Sequence, residues 1–191
     1  MSVRVLIVGY GYVGQLLGQL LKADGHTVYG VKRTHQHTLI DQLIQKDIMD
    51  LEDQDLPEID FVVYCPSSDA RDAASYQKVY DHGANHGLSI LEQRSHQPRF
   101  IYVSSTRVFE QSHGEWVDET SETKPTSTNG IKRLNAEKQW LKFSSENNLP
   151  LQIFRLSGIY SIQNNILKRL ISGQAKIVKR DNHFFSRIHV E

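Results

Sequence analysis

The sequence predicts an α/β fold: a doubly wound parallel sheet with helices on both faces. Three observations predict it. Short apolar runs alternate with segments of helical periodicity along the chain. The first apolar run, Val5-Leu6-Ile7-Val8, passes straight into Gly9-Tyr10-Gly11-Tyr12-Val13-Gly14, a Gly-x-Gly-x-x-Gly turn. Behind that turn, Val13, Leu16, Leu17, Leu20 and Leu21 recur at helical spacing.

The opening strand–turn–helix carries the first functional reading. In such a unit Gly9 permits the sharp turn, Gly11 lets a pyrophosphate approach the backbone, and Gly14 lets helix and strand pack closely. The helix N-terminus offers free N–H groups and a partial positive charge to an anion. Dinucleotide binding is the expectation for Gly9, Tyr10, Gly11, Tyr12, Val13 and Gly14; a turn serving only packing is the plainer alternative. The second strand, His26 to Val31, is followed by Lys32-Arg33-Thr34. A site for NAD usually places an acidic residue there, on the ribose 2′-hydroxyl. A guanidinium suits a 2′-phosphate instead, because its planar fork donates two hydrogen bonds to oxyanions. Arg33 therefore points to NADP(H) in preference to NAD(H), unless Lys32 and Arg33 are simply a solvated strand end.

The remaining elements follow in order. Leu39, Ile40, Leu43 and Ile44 suggest a helix, and a short third strand ends near Asp47. Asp60 to Cys65 reads as strand four, stopped by Pro66. Ala73, Tyr80, Ala84, Leu88 and Leu91 fall on one helical face. Arg99 to Ser104 is strand five. The polar stretch from Glu110 to Thr128 reads as an active-site loop, Ile131 to Asn147 as a helix, and Leu151 to Arg155 as strand six. A helix over Asn165 to Ile171 and a polar, hairpin-like segment complete the chain.

Ligands of such a sheet sit outside the carboxyl ends of the strands, at the switch point. Pro66-Ser67-Ser68, Ser104-Ser105-Thr106 and Ser157-Gly158 stand at those ends, together with Asp47. Asp47 can accept from an adenine amino group, cap a helical turn, or face water. Pro66 and Ser104 join the expected cofactor contacts.

Composition excludes several classes. Lys plus Arg (22) equals Asp plus Glu (22), so no net field favours nucleic acid or an anionic membrane. No apolar run approaches the ~20 residues that span a bilayer, and the N-terminal run, short and ending in the glycine turn, does not read as a signal peptide. Cys65, the single cysteine, can form no internal disulfide; a cytoplasmic protein acting on a small molecule is expected, with oligomerisation left open. Neither His35 with His37 nor His82 with His86 gathers a third ligand, so no metal site is expected. Cys65 reads as a small core residue. Lys168, Arg169, Lys176, Lys179 and Arg180 form a basic cluster, read as solvated surface or an anion contact.

Several ordered motifs resemble those of the extended short-chain dehydrogenases/reductases. They are Tyr102-Val103-Ser104-Ser105-Thr106-Arg107-Val108-Phe109 on strand five, Gly114-Glu115-Trp116-Val117-Asp118-Glu119, Arg155-Leu156-Ser157-Gly158-Ile159-Tyr160 on strand six, and Arg187-Ile188-His189-Val190-Glu191. With its glycine turn, the chain is most similar to the atypical epimerase/dehydratase-like subgroup. The resemblance implies a Rossmann-like NAD(P)-binding domain over residues 1–160. It implies that residues 161–191 begin a C-terminal substrate lobe, cut short here. It also implies an oxidoreductase or epimerase acting on a sugar nucleotide or another hydroxyl/carbonyl substrate.

The resemblance further implies where catalysis is altered. The family core is a Ser or Thr, then Tyr-x-x-x-Lys, with a Glu four residues past the Lys. Glu137 takes the Glu place, Arg133 the Lys place, Asn129 the Tyr place, and Ser105 the hydroxyl place. Tyr80 stands where the family has a helix Asn. An amide neither gains nor loses a proton near neutral pH. A guanidinium keeps its charge and can still bond a ribose, but releases no proton. Losing positioned acid–base catalysis costs ~10²–10⁴-fold in rate. A non-catalytic NADP(H)-binding or redox-sensing protein is therefore the alternative function. Tyr102, Tyr160, His113 and Glu119 are the substitute bases to weigh. Each has a plainer reading: Tyr102 in the core, Tyr160 beneath a substrate lobe, His113 and Glu119 on a solvent-facing loop.

Overall fold

The computed structural model describes residues 1–68, 72–111, 113–175 and 184–191. Six strands form one sheet: β1 (Arg4–Val8), β2 (Thr27–Lys32), β3 (Gln42–Gln45), β4 (Phe61–Tyr64), β5 (Arg99–Ser105) and β6 (Leu151–Leu156). Their spatial order is β3-β2-β1-β4-β5-β6, and all five pairings are parallel. The chain winds outward from β1 to β3, then returns to place β4 beside β1. That reversal leaves a crevice at the carboxyl ends of β1 and β4.

Burial explains the composition of β1. Val5 to Val8 are all buried, because helices cover both faces of a parallel sheet. Val5 and Ile7 point to one side, with Val28, Ile40 and Val63, beneath α1 (Tyr12–Ala23). Leu6 and Val8 point to the other. There they meet α2 (Ala73–Gln77), a π turn (Lys78–His82), α3 (Gly83–Glu92) and α4 (Thr128–Glu146). Trp140 of α4 anchors that side, with ring centroids 5.1 Å from Tyr64 and 5.6 Å from both Phe100 and Tyr102. Tyr102 is fully buried, in keeping with the core reading.

One local expectation is corrected. No helix forms around Leu39 to Ile44. Leu39 is exposed, Ile40 is buried, and Leu43 and Ile44 belong to β3. The cause is Asp41: its carboxylate accepts from the Val28 N–H at 2.7 Å and its own N–H donates to Val28 O at 3.0 Å. These bonds tie the segment to the start of β2 and set it up for strand pairing. β7 (Gly158–Tyr160) pairs in parallel with β8 (Arg187–His189), with α5 (Ile166–Ile171) between them in sequence. The hairpin-like reading of the segment after α5 falls largely on residues 176–183, outside the described residues. Lys176, Lys179 and Arg180 lie outside the described residues. No helix among the described residues is long and apolar enough to cross a membrane.

Candidate dinucleotide site

The glycine turn lies at the crevice, and its glycines differ in purpose. Gly9 has φ +92°, and a Cβ there would overlap the backbone of Pro66. A Cβ on Gly14 would lie 2.9 Å from Gly9 O and 3.0 Å from the Ile7 side chain. Both glycines are required by the fold. Gly11 is not: a Cβ there would meet only Gly9 O, at 3.9 Å. Gly11 is also the N-cap of α1, where no side chain caps the helix and the first turn carries no acidic residue. Nothing among the described residues demands a glycine at 11; an open helix N-terminus of this kind is suited to a pyrophosphate.

Beside the turn is a cleft of about 200 Å³ between the ends of β1, β2 and β4. Gly9, Tyr10, Gly11, Arg33, Asp47 and Pro66 all border it, which brings six sequence-predicted residues together. Lys32, Lys46 and Lys78 also line it. Lys46 is paired with Asp55 at 2.7 Å and Lys78 with Asp47 at 2.8 Å. Arg33 is exposed at the rim, close enough to Asp47 to favour its charge. Partial burial opposes ionisation of Asp47, but Lys78, the Met49 N–H and Arg33 outweigh it and hold the carboxyl below its usual range. Asp47 also caps the turn Ile48–Asp50 by accepting from Met49 N–H at 3.1 Å. Lys78 and Lys46 were not anticipated; Lys46 directly follows β3, beside Asp47, and Lys78 reaches the cleft from the helical segment that follows β4.

Other predicted residues point elsewhere. The Tyr10 ring is buried in the space that Gly18 and Gly30 leave open, so only its backbone borders the cleft. Tyr12 is partly exposed, and its hydroxyl donates to Gln163 at 3.0 Å. Val13 is half-buried in the first turn of α1. The Ser104 hydroxyl turns into the core, where it donates to Glu137. Glu137 is buried and also takes Arg155 Nη2 at 2.9 Å. Cys65 lies against Gly9 O at 3.4 Å, and burial pushes its thiol up to about 12, which leaves it inert. His86 is only half-exposed, its Nε2 lying 2.9 Å from Leu51 O, while His82 is exposed. No group among the described residues could hold a metal ion.

At the other side of the crevice, Ser105 ends β5, and its hydroxyl accepts from Arg107 N–H at 3.3 Å. The turn it opens packs on α4: a Cβ on Gly130 would lie 2.6 Å from Arg107 O. This places the strand end carrying Ser105 against the helix end carrying Asn129 and Arg133, which stand one turn apart. Asn129 is half-buried. Arg133 lies with its guanidinium carbon 4.3 Å above the Tyr80 ring and 5.8 Å from the Tyr76 ring. Its Nη2 donates to the Tyr80 hydroxyl at 2.7 Å. His113 and Glu119 are exposed, and Tyr160 is partly exposed against His189.

The strand order and the glycine turn at the reversal define a Rossmann-type nucleotide-binding domain. Residues 5–182 match the NAD dependent epimerase/dehydratase family, and the chain belongs to that family. Among curated proteins none matches the sequence. Among solved structures it is similar to UDP-glucuronic acid 4-epimerase of Bacillus cereus, in complex with UDP-glucuronic acid and NAD. There the identity is 19% and the TM-score 0.80, over 98% of this chain and 69% of that one. It is also similar to MoeE5 in complex with UDP-glucuronic acid and NAD, at 21% identity and TM-score 0.83, over 98% and 68%. A candidate NAD-dependent epimerase/dehydratase of Methylobacillus flagellatus shares 27% identity with TM-score 0.71, over 100% and 66%. The chain thus spans about two thirds of the length of each of these structures.

Proposed function

We propose that this chain binds NADP(H), with NAD(H) as the weaker ligand, and serves an epimerase or oxidoreductase reaction on a sugar nucleotide or a related hydroxyl/carbonyl compound. One observation carries the dinucleotide reading: Gly11 leaves room for a Cβ, which would meet only Gly9 O at 3.9 Å, at an uncapped helix N-terminus beside a cleft bordered by Lys32, Arg33, Lys46 and Lys78. The pyrophosphate would lie on α1 and the adenosine half in the cleft. Arg33 at the rim would meet a 2′-phosphate. Arg133 would bond the nicotinamide-side ribose. When bound, the nicotinamide would supply or accept a hydride. Ser105 would orient the substrate hydroxyl. Arg169 and Arg187 line a second cleft, suited to phosphate oxygens, which would form part of the substrate side.

Asn129 favours a second reading, a non-catalytic NADP(H) sensor, because its amide can move no proton. Titration of both cofactors, followed by incubation with a panel of UDP-sugars, separates the two. The enzyme reading expects nicotinamide reduction or epimer formation with some member of the panel; the sensor reading expects binding alone. Replacing Arg33 with Asp should narrow the gap between NADP⁺ and NAD⁺ by about tenfold or more, since a charge-assisted bond of ~1.5–3 kcal/mol is removed. Equal affinities for both cofactors in the wild type would remove the case for Arg33.

A further inference from the structure

Tyr80 and Arg133, which the resemblance reads as departures from the family pattern, touch each other. Tyr80 sits in the π turn between α2 and α3, a type of helix distortion that concentrates at functional sites. Its side chain is buried, with the ring 5.2 Å from that of Tyr76. Its hydroxyl accepts from Arg133 Nη2 at 2.7 Å and donates to Pro66 O at 3.4 Å. Pro66 borders the dinucleotide cleft and lies against Gly9. One phenol oxygen therefore joins the cofactor loop to the cation of α4.

The chemistry of the pair is specific. A guanidinium is planar and can lie on an aromatic face while donating from its edge; an ammonium is a compact point charge with no plane to lay down. An Asn at position 80 would offer neither the ring nor a hydroxyl that reaches both partners. Among the described residues Arg133 Nε is buried without an acceptor, and the Tyr80 hydroxyl and the two rings are what hold the guanidinium there.

We propose that Tyr80 is a positioning residue, which holds the Arg133 guanidinium where it meets the nicotinamide-side ribose and ties that placement to the Pro66 end of the cleft. The proposal rests on the reading that Arg133 contacts bound cofactor.

Calorimetric titration tests it, using whichever of NADP⁺ and NAD⁺ binds more tightly, and the matching adenosine half alone (adenosine 2′,5′-bisphosphate or ADP). Arg133→Ala and Tyr80→Phe should each weaken the whole dinucleotide by about tenfold, the loss expected for one charge-assisted hydrogen bond. Both should leave the adenosine half unchanged. The double variant should bind no more weakly than Arg133→Ala, because one residue acts through the other. Arg133→Lys should show the same selective loss, and serves as the second variant if Tyr80→Phe folds poorly. Wild-type affinity in Tyr80→Phe beside a weakened Arg133→Ala would overturn the proposal and leave the cofactor reading standing. Wild-type affinity in Arg133→Ala would overturn both. Equal weakening of both ligands by Tyr80→Phe would make Tyr80 a merely structural residue and also overturn the proposal.

Discussion

The Glu137 carboxylate receives two nitrogens of Arg155, Nε at 3.2 Å and Nη2 at 2.9 Å, beneath the strand ends that build the site. Glu137 is 1% exposed, and the Ser104 hydroxyl donates to the same carboxylate. The network joins β5, β6 and α4. Replacing Glu137 with Gln keeps the shape but leaves the Arg155 cation without its counter-charge. A loss of about 3 kcal/mol is expected, or about 6–12 °C in melting temperature for a chain of this size. The paired change Glu137→Leu with Arg155→Met should recover part of that loss, since it removes both charges. A double variant as unstable as the single one would show that packing, not charge, is what Glu137 supplies.

The glycine turn gives a second test, because Gly9 and Gly11 make opposite predictions. Gly9→Ala forces a side chain onto Pro66 at a positive φ, so stability should fall by about 2 kcal/mol or more. Gly11→Ala meets open space, so stability should change by less than about 0.5 kcal/mol. Gly11→Val should nonetheless abolish dinucleotide binding while far-UV dichroism stays native. Normal binding by Gly11→Val would reduce the turn to a packing device.

Acid should weaken the fold through Asp60. Its carboxylate bonds Arg4 Nη2 at 2.9 Å and the Arg4 N–H at 2.8 Å, and these bonds lower its pKa from 3.8 to about 2. A depressed folded pKa adds stability that is present above the unfolded value and is lost as pH falls through the folded one. Melting temperature should therefore decline between pH 3.8 and about 2. Asp60→Asn should flatten that part of the curve while lowering the melting temperature at neutral pH. An unchanged acid limb in Asp60→Asn would assign the decline to other carboxylates.

If the unmodified chain turns substrate over poorly, raising its turnover should need three changes rather than two. Asn129→Tyr with Arg133→Lys returns a titratable phenol and a lysine to α4, yet Tyr80 still occupies the place from which it holds a cation. Adding Tyr80→Asn should raise turnover of a UDP-sugar panel by at least about tenfold over the double variant, because groups that act as a unit are not additive. Rapid turnover by the unmodified chain would show instead that another residue moves the proton. Tyr160→Phe and His113→Ala would then be the first substitutions to make.

Much of this was legible from periodicity. The run Val5 to Val8, the glycine turn and the apolar stripe of α1 are local patterns, and each formed as the spacing requires. The segment around Ile40 was misread for an instructive reason. Its apolar spacing suits a helix, but Asp41 bonds Val28, which lies 13 residues back, and that tertiary bond decides for a strand. The site was legible only in part. Gly9, Gly11, Arg33, Asp47 and Pro66 do line one cleft, since strand ends converge in any doubly wound sheet. Tyr10 and Ser104 were also expected at the cofactor, but their side chains turn into the core.

By itself the sequence determined the strand–turn–helix and the parallel alternation, because these depend on spacing along the chain. Tertiary structure decided which glycine is free for a ligand, which lysines reach the cleft, and that Tyr80 and Arg133 are partners. Those facts depend on groups brought together across the fold, 53 residues apart for that pair, and no local period encodes such a meeting.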